Sequence, residues 1–237
     1  HGTHICGIIG GSGRMSGGRY SGIAPGCNLI MVKVLDRKGN GYSSDVLAGI
    51  SWVLERKEQL GIRILNISVG ACSKRGMSEN SALVKGVNRA WDAGLVVVVA
   101  AGNNGPRTMS ITTPGISRKV ITVGCSDDDR EVLVGGNRMV DYSGRGPTAA
   151  CICKPDLVAP GCSVVSCSSR ADKYTIKSGT SMSTPIVSGA VALLLERFPD
   201  MSNKDVKLRL RESSVDIGLP RNQQGWGLLD VGKMLER

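Results

Sequence analysis

A chain of 237 residues with 41% hydrophobic residues and 32 glycines is long enough for one large domain with a full core and many tight turns. One Phe, four Tyr and three Trp leave an aliphatic, alanine-rich core, which suits helices packed closely on a sheet and argues against an aromatic-cored β-barrel. The net charge of +10 is scattered in pairs such as Arg37-Lys38, Lys74-Arg75 and Arg118-Lys119, and no run approaches the roughly 20 apolar residues of a membrane span, so neither nucleic acid nor a bilayer is an expected partner.

Along the chain, residues 29–35 (Leu-Ile-Met-Val-Lys-Val-Leu) predict a buried strand, closed by turn residues 36–41. Ser43-Ser44-Asp45 then caps a helix with an apolar stripe of Val46, Leu47, Ile50, Val53 and Leu54, and Gly61 lies past its end. Residues 63–69 predict a second strand and residues 78–93 a second helix, ended by Gly94. Leu95-Val96-Val97-Val98-Val99 has no polar alternation. Apolar on both faces, it belongs inside a parallel sheet covered by helices. A further strand is predicted over 120–123. Residues 127–161 are turn-rich, with short strands. A long helix is predicted from 181 to about 198, and another over 203–212 with Ser202 or Asn203 as its cap. Alternating strand and helix predicts βαβ units and one doubly wound α/β domain over 1–237.

The eight cysteines match neither a disulfide framework nor a zinc pattern. Cys151-Ile152-Cys153 has one intervening residue, and the only histidines are His1 and His4. Cys6 and Cys125 fall inside apolar runs, where a thiol serves as a small hydrophobe. Reduced thiols point to a cytoplasmic protein, with a secreted, disulfide-bonded one as the alternative. The densest basic stretch, 204–211, has helical spacing and reads as a solvated helix face.

Ser181 stands in Gly179-Thr180-Ser181-Met182-Ser183-Thr184-Pro185, at the expected start of the long helix. Unpaired backbone N–H groups and the helix dipole favour negative charge there. A serine hydroxyl is a poor nucleophile without a base and charge stabilisation. His1, in His1-Gly2-Thr3-His4-Ile5-Cys6-Gly7, is the candidate base. Asn103, in Ala100-Ala101-Gly102-Asn103-Asn104-Gly105, follows the valine strand, where open α/β sheets bind ligands, and can offer its amide to an oxyanion. Plainer readings stand beside these: Thr180 or Ser181 as a mere N-cap, and Asn-Asn-Gly as a turn that only reverses the chain.

The three motifs together resemble the subtilisin-like serine proteases (subtilases). Further matches are Gly22-Ile23-Ala24-Pro25, Tyr142-Ser143-Gly144-Arg145-Gly146-Pro147, Lys154-Pro155-Asp156-Leu157-Val158-Ala159-Pro160-Gly161 and Gly225-Trp226-Gly227-Leu228-Leu229-Asp230. Thr113-Pro114-Gly115 and the Arg-Gly-Pro segment look most like the bacterial intracellular, AprX-type branch. The resemblance implies a three-layer α/β/α fold with a mostly parallel central sheet. It implies a serine endopeptidase acting through an acyl-enzyme, with Ser181 as nucleophile, His1 as general base, Asn103 as oxyanion donor and His4 structural. It places Ser68, Val69 and Gly70 on one wall of the primary specificity pocket and Ala100, Ala101 and Gly102 on the other. It makes Gly39, Asn40 and Gly41 the edge that pairs with an extended substrate. Peptides or proteins are the implied substrates and no cofactor is implied. The small residues around the pocket suggest a roomy, apolar site.

The resemblance also has gaps. Subtilases carry an orienting aspartate in an Asp-Thr-Gly or Asp-Ser-Gly motif before the histidine, on a central strand. No aspartate here can be assigned that role, so the domain is expected to be N-terminally incomplete, to lack that strand and to leave two strand edges bare. Removing that aspartate costs about 3 × 10⁴ in kcat in subtilisin itself, so this segment alone is expected to be nearly inert. The alternative is a pseudoprotease that binds peptides or partners without cleaving them. The loop 12–19, Ser-Gly-Arg-Met-Ser-Gly-Gly-Arg, holds two arginines and no carboxylate, so no calcium or other metal is expected there. The sequence places no constraint on oligomeric state.

Overall fold

The computed structural model describes residues 1–37, 39–70, 79–170 and 174–236. The pair Lys74-Arg75, Lys38, and Ser78 at the start of the second predicted helix lie outside them. Four strands, β1 (Ile64–Ile67), β2 (Val96–Ala100), β3 (Ile121–Cys125) and β4 (Leu157–Ala159), form one sheet in that order, all parallel. Asn66 of β1 lies beside Val98 of β2, and Val98 beside Ile121 of β3. Every residue of β2 and β3 is buried, as a strand covered on both faces requires. Burying each valine contributes about 1.5–3 kcal/mol, so β2 is the centre of the core.

The helices cover both faces. The long helix α4 (Thr180–Arg197) lies across all four strands, with α1 (Gly2–Gly10) packed on it. On the other side α3 (Ala82–Asp92) packs on β2, and α2 (Ser43–Leu60) packs on α3. Val187, Ala190, Val191 and Leu194 of α4 and Val87, Ala90 and Trp91 of α3 join the valines of β2 in one cluster. The result is a three-layer α/β/α fold with a parallel central sheet. Two antiparallel hairpins lie outside the sheet: residues Val132–Val134 with Asn137–Met139, and β5 (Val164–Cys167) with β6 (Tyr174–Lys177). The second has no strong apolar alternation and is not apparent in the sequence.

Helix ends follow local chemistry. Tyr42, not Ser43, is the N-cap of α2, and its N–H donates to the Asp45 carboxylate at 3.2 Å. Gly61 ends the helix at φ 62°, a left-handed conformation that glycine adopts without steric cost. Ser202 caps α5 (Asn203–Ser213) in a capping box: its Oγ accepts from Asp205 N–H at 3.2 Å, and Asp205 accepts from Ser202 N–H at 2.9 Å. Within the basic stretch of α5, Lys207 is not a free surface charge. Its ammonium donates to the carbonyls of Arg118, Lys119 and Val120 at 2.9–3.0 Å. Behind it, the buried Lys154 ammonium donates to Asp156 at 2.5 Å and to Val120 O at 3.0 Å, and Asp156 accepts from Thr122 N–H at 2.7 Å. Burial, opposed by the Asp156 carboxylate, brings Lys154 down to about 8. This network fixes the strand ends of β3 and β4.

One predicted strand is not formed. Residues 29–35 pair with no strand, and Leu29, Ile30 and Met31 are exposed. The outer edge of β1 likewise pairs with no strand among the described residues. A strand is defined by hydrogen bonds to a neighbour, so an apolar run without one stays irregular. Residues 32–36 instead form one side of a groove of about 880 Å³, with Ala48, Gly49 and Trp52 of α2 on the other. The turn after it is formed, with Asp36 N–H donating to Asn40 O at 2.7 Å.

His4 is buried in α1, and its Nε2 lies 3.1 Å from both Val164 O and Thr175 O. Two acceptors at one nitrogen require an N–H there, while Nδ1 is buried without a partner among the described residues. Protonation would therefore place a charge on a buried, unbonded atom. Burial lowers the His4 pKa below the ordinary 6.5, against the opposing pull of the two carbonyls. The unfolded chain thus takes up a proton near 6.5 and the folded chain only at lower pH. The stability His4 contributes is full above that value and is lost as pH falls through the folded pKa. Urea midpoints of the intact protein should fall on acidification below about pH 6.5, and His4→Gln should flatten that limb. An unchanged slope in the variant would contradict this assignment.

Candidate active site

The carboxyl ends of β1 and β2 lie side by side because the strands are parallel and in register. The amino terminus of α4 meets them there. Gly179, the N-cap, has φ 138°, a conformation that a side chain would strain, and its N–H donates to Gly161 O at 3.0 Å. A Cβ at Gly179 would lie 3.2 Å from Asn103 Nδ2, so the glycine lets the asparagine approach the helix end. The plainer expectation that Thr180 or Ser181 caps the helix is corrected: Gly179 is the cap, and Thr180 serves another purpose.

Thr180 holds Asn103. Its N–H and Oγ–H donate to Asn103 Oδ1 at 3.0 and 3.1 Å, and its Oγ accepts from Gly102 N–H at 3.1 Å. Two donors on one amide atom identify that atom as oxygen. The Nδ2 group, a pure donor, is the other end of the amide. Of the first three N–H groups of α4, Thr180's goes to Asn103 and Met182's to Gly179 O. The Ser181 N–H has no hydrogen bond among the described residues. Asn103 Nδ2 and Ser181 N–H are thus two donors at one helix mouth, suited to an anion.

The Ser181 hydroxyl donates to Ser68 O at 2.9 Å. Ser68 is itself tied down through Asn66, whose Nδ2 donates to Ser68 Oγ at 3.0 Å and whose Oδ1 accepts from Ser188 Oγ at 2.8 Å. Pro185 in the second turn of α4 has no N–H for Ser181 O, so that carbonyl loses its helical donor. His1 is exposed at the N-cap of α1. Its position is set by packing: Ile5 and Ile8 of α1 cluster with Met182, the neighbour of Ser181. Direct hydrogen bonds join Asn103 to Thr180 and Ser181 to Ser68. No hydrogen bond joins His1 to Ser181 among the described residues. In ligand-free enzymes catalytic hydrogen bonds are often long and tighten only with substrate.

Two residues of the expected pocket walls, Gly70 and Gly102, both abut Thr112. A Cβ on Gly70 would lie 2.5 Å from Thr112 Oγ1, and one on Gly102 would lie 2.4 Å from Thr112 Cγ2. Thr112 therefore stands against both walls and joins them, and its hydroxyl donates to Ala101 O at 3.3 Å. Ala100 and Ala101 are buried, while Gly70 is exposed at the rim. Gly39, Asn40 and Gly41 are exposed and belong to no strand. The segment 141–146 backs the Asn103 loop: Gly144 N–H donates to Gly102 O at 2.8 Å and Gly105 N–H to Tyr142 O at 2.9 Å. A Cβ at Gly144 would stand 2.6 Å from Ala101 O. Sequence reasoning gave Thr180 at most a capping role and Thr112 none. The first was hidden inside a motif read for its serine, and the second has no periodic or charge signal at all.

Among the described residues, no helix is long and apolar enough to cross a membrane. Comparison with known proteins gives the family. The model of the subtilase family matches residues 1–227. The chain is 40% identical to serine protease AprX of Bacillus subtilis (strain 168), covering 90% of this chain and 52% of AprX. It is 34% identical to subtilisin DY of Bacillus licheniformis, covering 98% of this chain and 76% of the relative. The chain thus spans about half the length of AprX and three quarters of subtilisin DY. Among solved structures it is similar to sphericase, with a TM-score of 0.80 at 31% identity over 96% of this chain and 76% of that one.

Proposed function

The chain belongs to the subtilase family, and from that premise we propose that it is the catalytic part of a serine endopeptidase. Ser181 is the nucleophile, His1 the general base and Asn103 the oxyanion donor. His1 accepts the Ser181 Oγ proton as Oγ adds to the scissile carbonyl, and returns it to the leaving amine. Water then hydrolyses the acyl-enzyme by the same relay. The developing oxyanion accepts from Asn103 Nδ2 and Ser181 N–H. The orienting carboxylate for His1 is expected on an upstream segment, as in the family. Peptide or protein substrates lie against Gly39–Asn40–Gly41, with a side chain entering between the walls that Thr112 joins.

The observation that carries this reading is the clamp on Asn103. Thr180 takes the amide oxygen with two donors, which leaves the donor end for a substrate. A helix cap would not need the asparagine, and a simple turn would not need Thr180. One observation favours the pseudoprotease reading: the Ser181 hydroxyl donates to Ser68 O instead of to an imidazole. A fluorophosphonate separates the two. The intact protein should be labelled stoichiometrically at Ser181, with labelling lost in Ser181→Ala and strongly slowed in His1→Ala. An intact, folded protein that takes up no label at Ser181 would be a pseudoprotease.

The clamp gives a second expectation. In Thr180→Val the Oγ bonds to Asn103 and Gly102 are lost while the backbone bond stays. Of the two, the bond to Asn103 orients the donor, and loss of that one neutral hydrogen bond costs ~1–1.5 kcal/mol, about tenfold in rate. On a chromogenic peptide, kcat should fall about tenfold with KM within about twofold, less than the about 10²–10³ that removal of the oxyanion asparagine costs in subtilisin itself. A KM effect without a kcat effect would show that Thr180 does not position the donor.

A further inference from the structure

Behind the Asn103 loop lies a group of side chains that the peptidase reading does not use. Cys125 closes β3, Cys162 follows β4, and Asp127 sits between them; their ligand atoms all lie within 4.8 Å of one another. Cys125 is buried in an apolar cluster with Val134 and Tyr142, as a small hydrophobe would be, and it also makes polar contacts. Its Sγ–H donates to Asp127 Oδ1 at 3.1 Å, and its sulfur lies 3.2 Å from the Tyr142 hydroxyl. The same hydroxyl is 3.2 Å from Cys162 Sγ and donates to Gly161 O at 3.3 Å. Asp127 Oδ1 is held in place by Gly161 N–H at 2.7 Å and Cys162 N–H at 3.1 Å. Two sulfurs and a carboxylate oxygen are thus fixed by two adjacent strand ends.

We propose that Cys125, Cys162 and Asp127 form a site for one thiophilic divalent cation of the zinc or cadmium class. Such an ion takes sulfur at ~2.3 Å and carboxylate oxygen at about 2.0–2.2 Å in a tetrahedron, which needs ligands as close together as these. Cys125 is 1% exposed, but Cys162 and Asp127 are only partly buried, so an ion has a way in from solvent. A separate observation points to the same spot. The Ser183 hydroxyl is fully buried and has no hydrogen-bond partner among the described residues. A Cβ built on Gly161 would meet both Ser183 Oγ, at van der Waals overlap, and Cys125 Sγ, at 2.8 Å. The orphaned hydroxyl and the inner sulfur therefore both border Gly161. The Tyr142 hydroxyl, 3.2 Å from each sulfur, can donate to a thiolate. Supporting donors of this kind tune a metal site.

Binding replaces both thiol protons with the ion: two S–H bonds break, two metal–sulfur bonds form, and two protons go to solvent. The ion would sit behind Gly161, whose carbonyl receives the Gly179 N–H at the turn that carries Ser181. The site does not depend on the peptidase reading, and its test can run on a protein that cannot cleave itself. Reduced, metal-stripped intact protein in the Ser181→Ala background is titrated with cadmium. The thiolate-to-metal charge-transfer absorption should saturate at one ion per chain, with two protons released per ion. Cys162→Ser, a change at a partly exposed residue, should abolish the band and weaken binding by more than the about 10–100-fold that loss of a supporting group costs. Tyr142→Phe should weaken binding within that range. The double variant Cys151→Ser, Cys153→Ser, at two exposed cysteines, should bind as before. Persistence of the band in Cys162→Ser, its loss in the double variant, absence of a saturable site, or a Cys125–Cys162 disulfide that survives thiol reductant would each overturn the proposal.

Discussion

The grip of Thr180 on the amide oxygen of Asn103 is the contact on which the site depends. It joins the end of the central strand to the start of α4 through two residues 77 apart in the chain. Without it, the asparagine could turn either end of its amide toward a ligand. The grip is possible because Gly179 keeps no side chain beside Asn103 and because Gly102 N–H fixes the Thr180 hydroxyl. Each of these needs the others. The strand supplies the carbonyl-end position, the glycine supplies space, and the threonine supplies direction. A helix terminus then adds the Ser181 N–H, whose unpaired state follows from helix geometry alone.

The core explains why that geometry is rigid. The valines of β2 are buried on both faces and packed between α3 and α4. A strand in that position cannot slip by one residue without changing what each face presents. The Lys154–Asp156 pair performs a similar task at β3 and β4, where the carboxylate bonds the Thr122 backbone across the strand gap. The bare side of the sheet contrasts with this. The outer edge of β1 and the apolar run 29–35 each have hydrogen-bonding capacity that no described strand takes up, and Leu29, Ile30 and Met31 face solvent. Their sequence is that of a buried strand, and the sheet as described does not bury them.

How much of this could be read from sequence differs by physical cause. The valine strand, the long helix and the Ser202 cap were legible because periodicity and capping act locally. The placement of Ser181 in the first turn of α4 and of Asn103 just past β2 was legible because it follows from where the helix starts and the valine strand ends. Residues 29–35 misled because their composition specifies burial and β-propensity, while strand formation depends on a partner. Thr180, Thr112 and the Cys125–Tyr142–Cys162 contact were not legible. Each acts across residues far apart in the chain, and each looks ordinary in its local window. The short hairpin of β5 and β6 was missed for the opposite reason: its residues carry no alternation, and only cross-strand pairing defines it.

The central claim is that His1, Ser181 and Asn103 meet around one carbonyl. Its most direct measurement is a crystal structure of the intact protein carrying a peptidyl phosphonate on Ser181. The account predicts a phosphonyl oxygen within hydrogen-bond distance of both Asn103 Nδ2 and Ser181 N–H, and the His1 ring turned to within reach of Ser181 Oγ. An adduct whose oxygen points away from Asn103, or a His1 ring that stays in solvent, would contradict it.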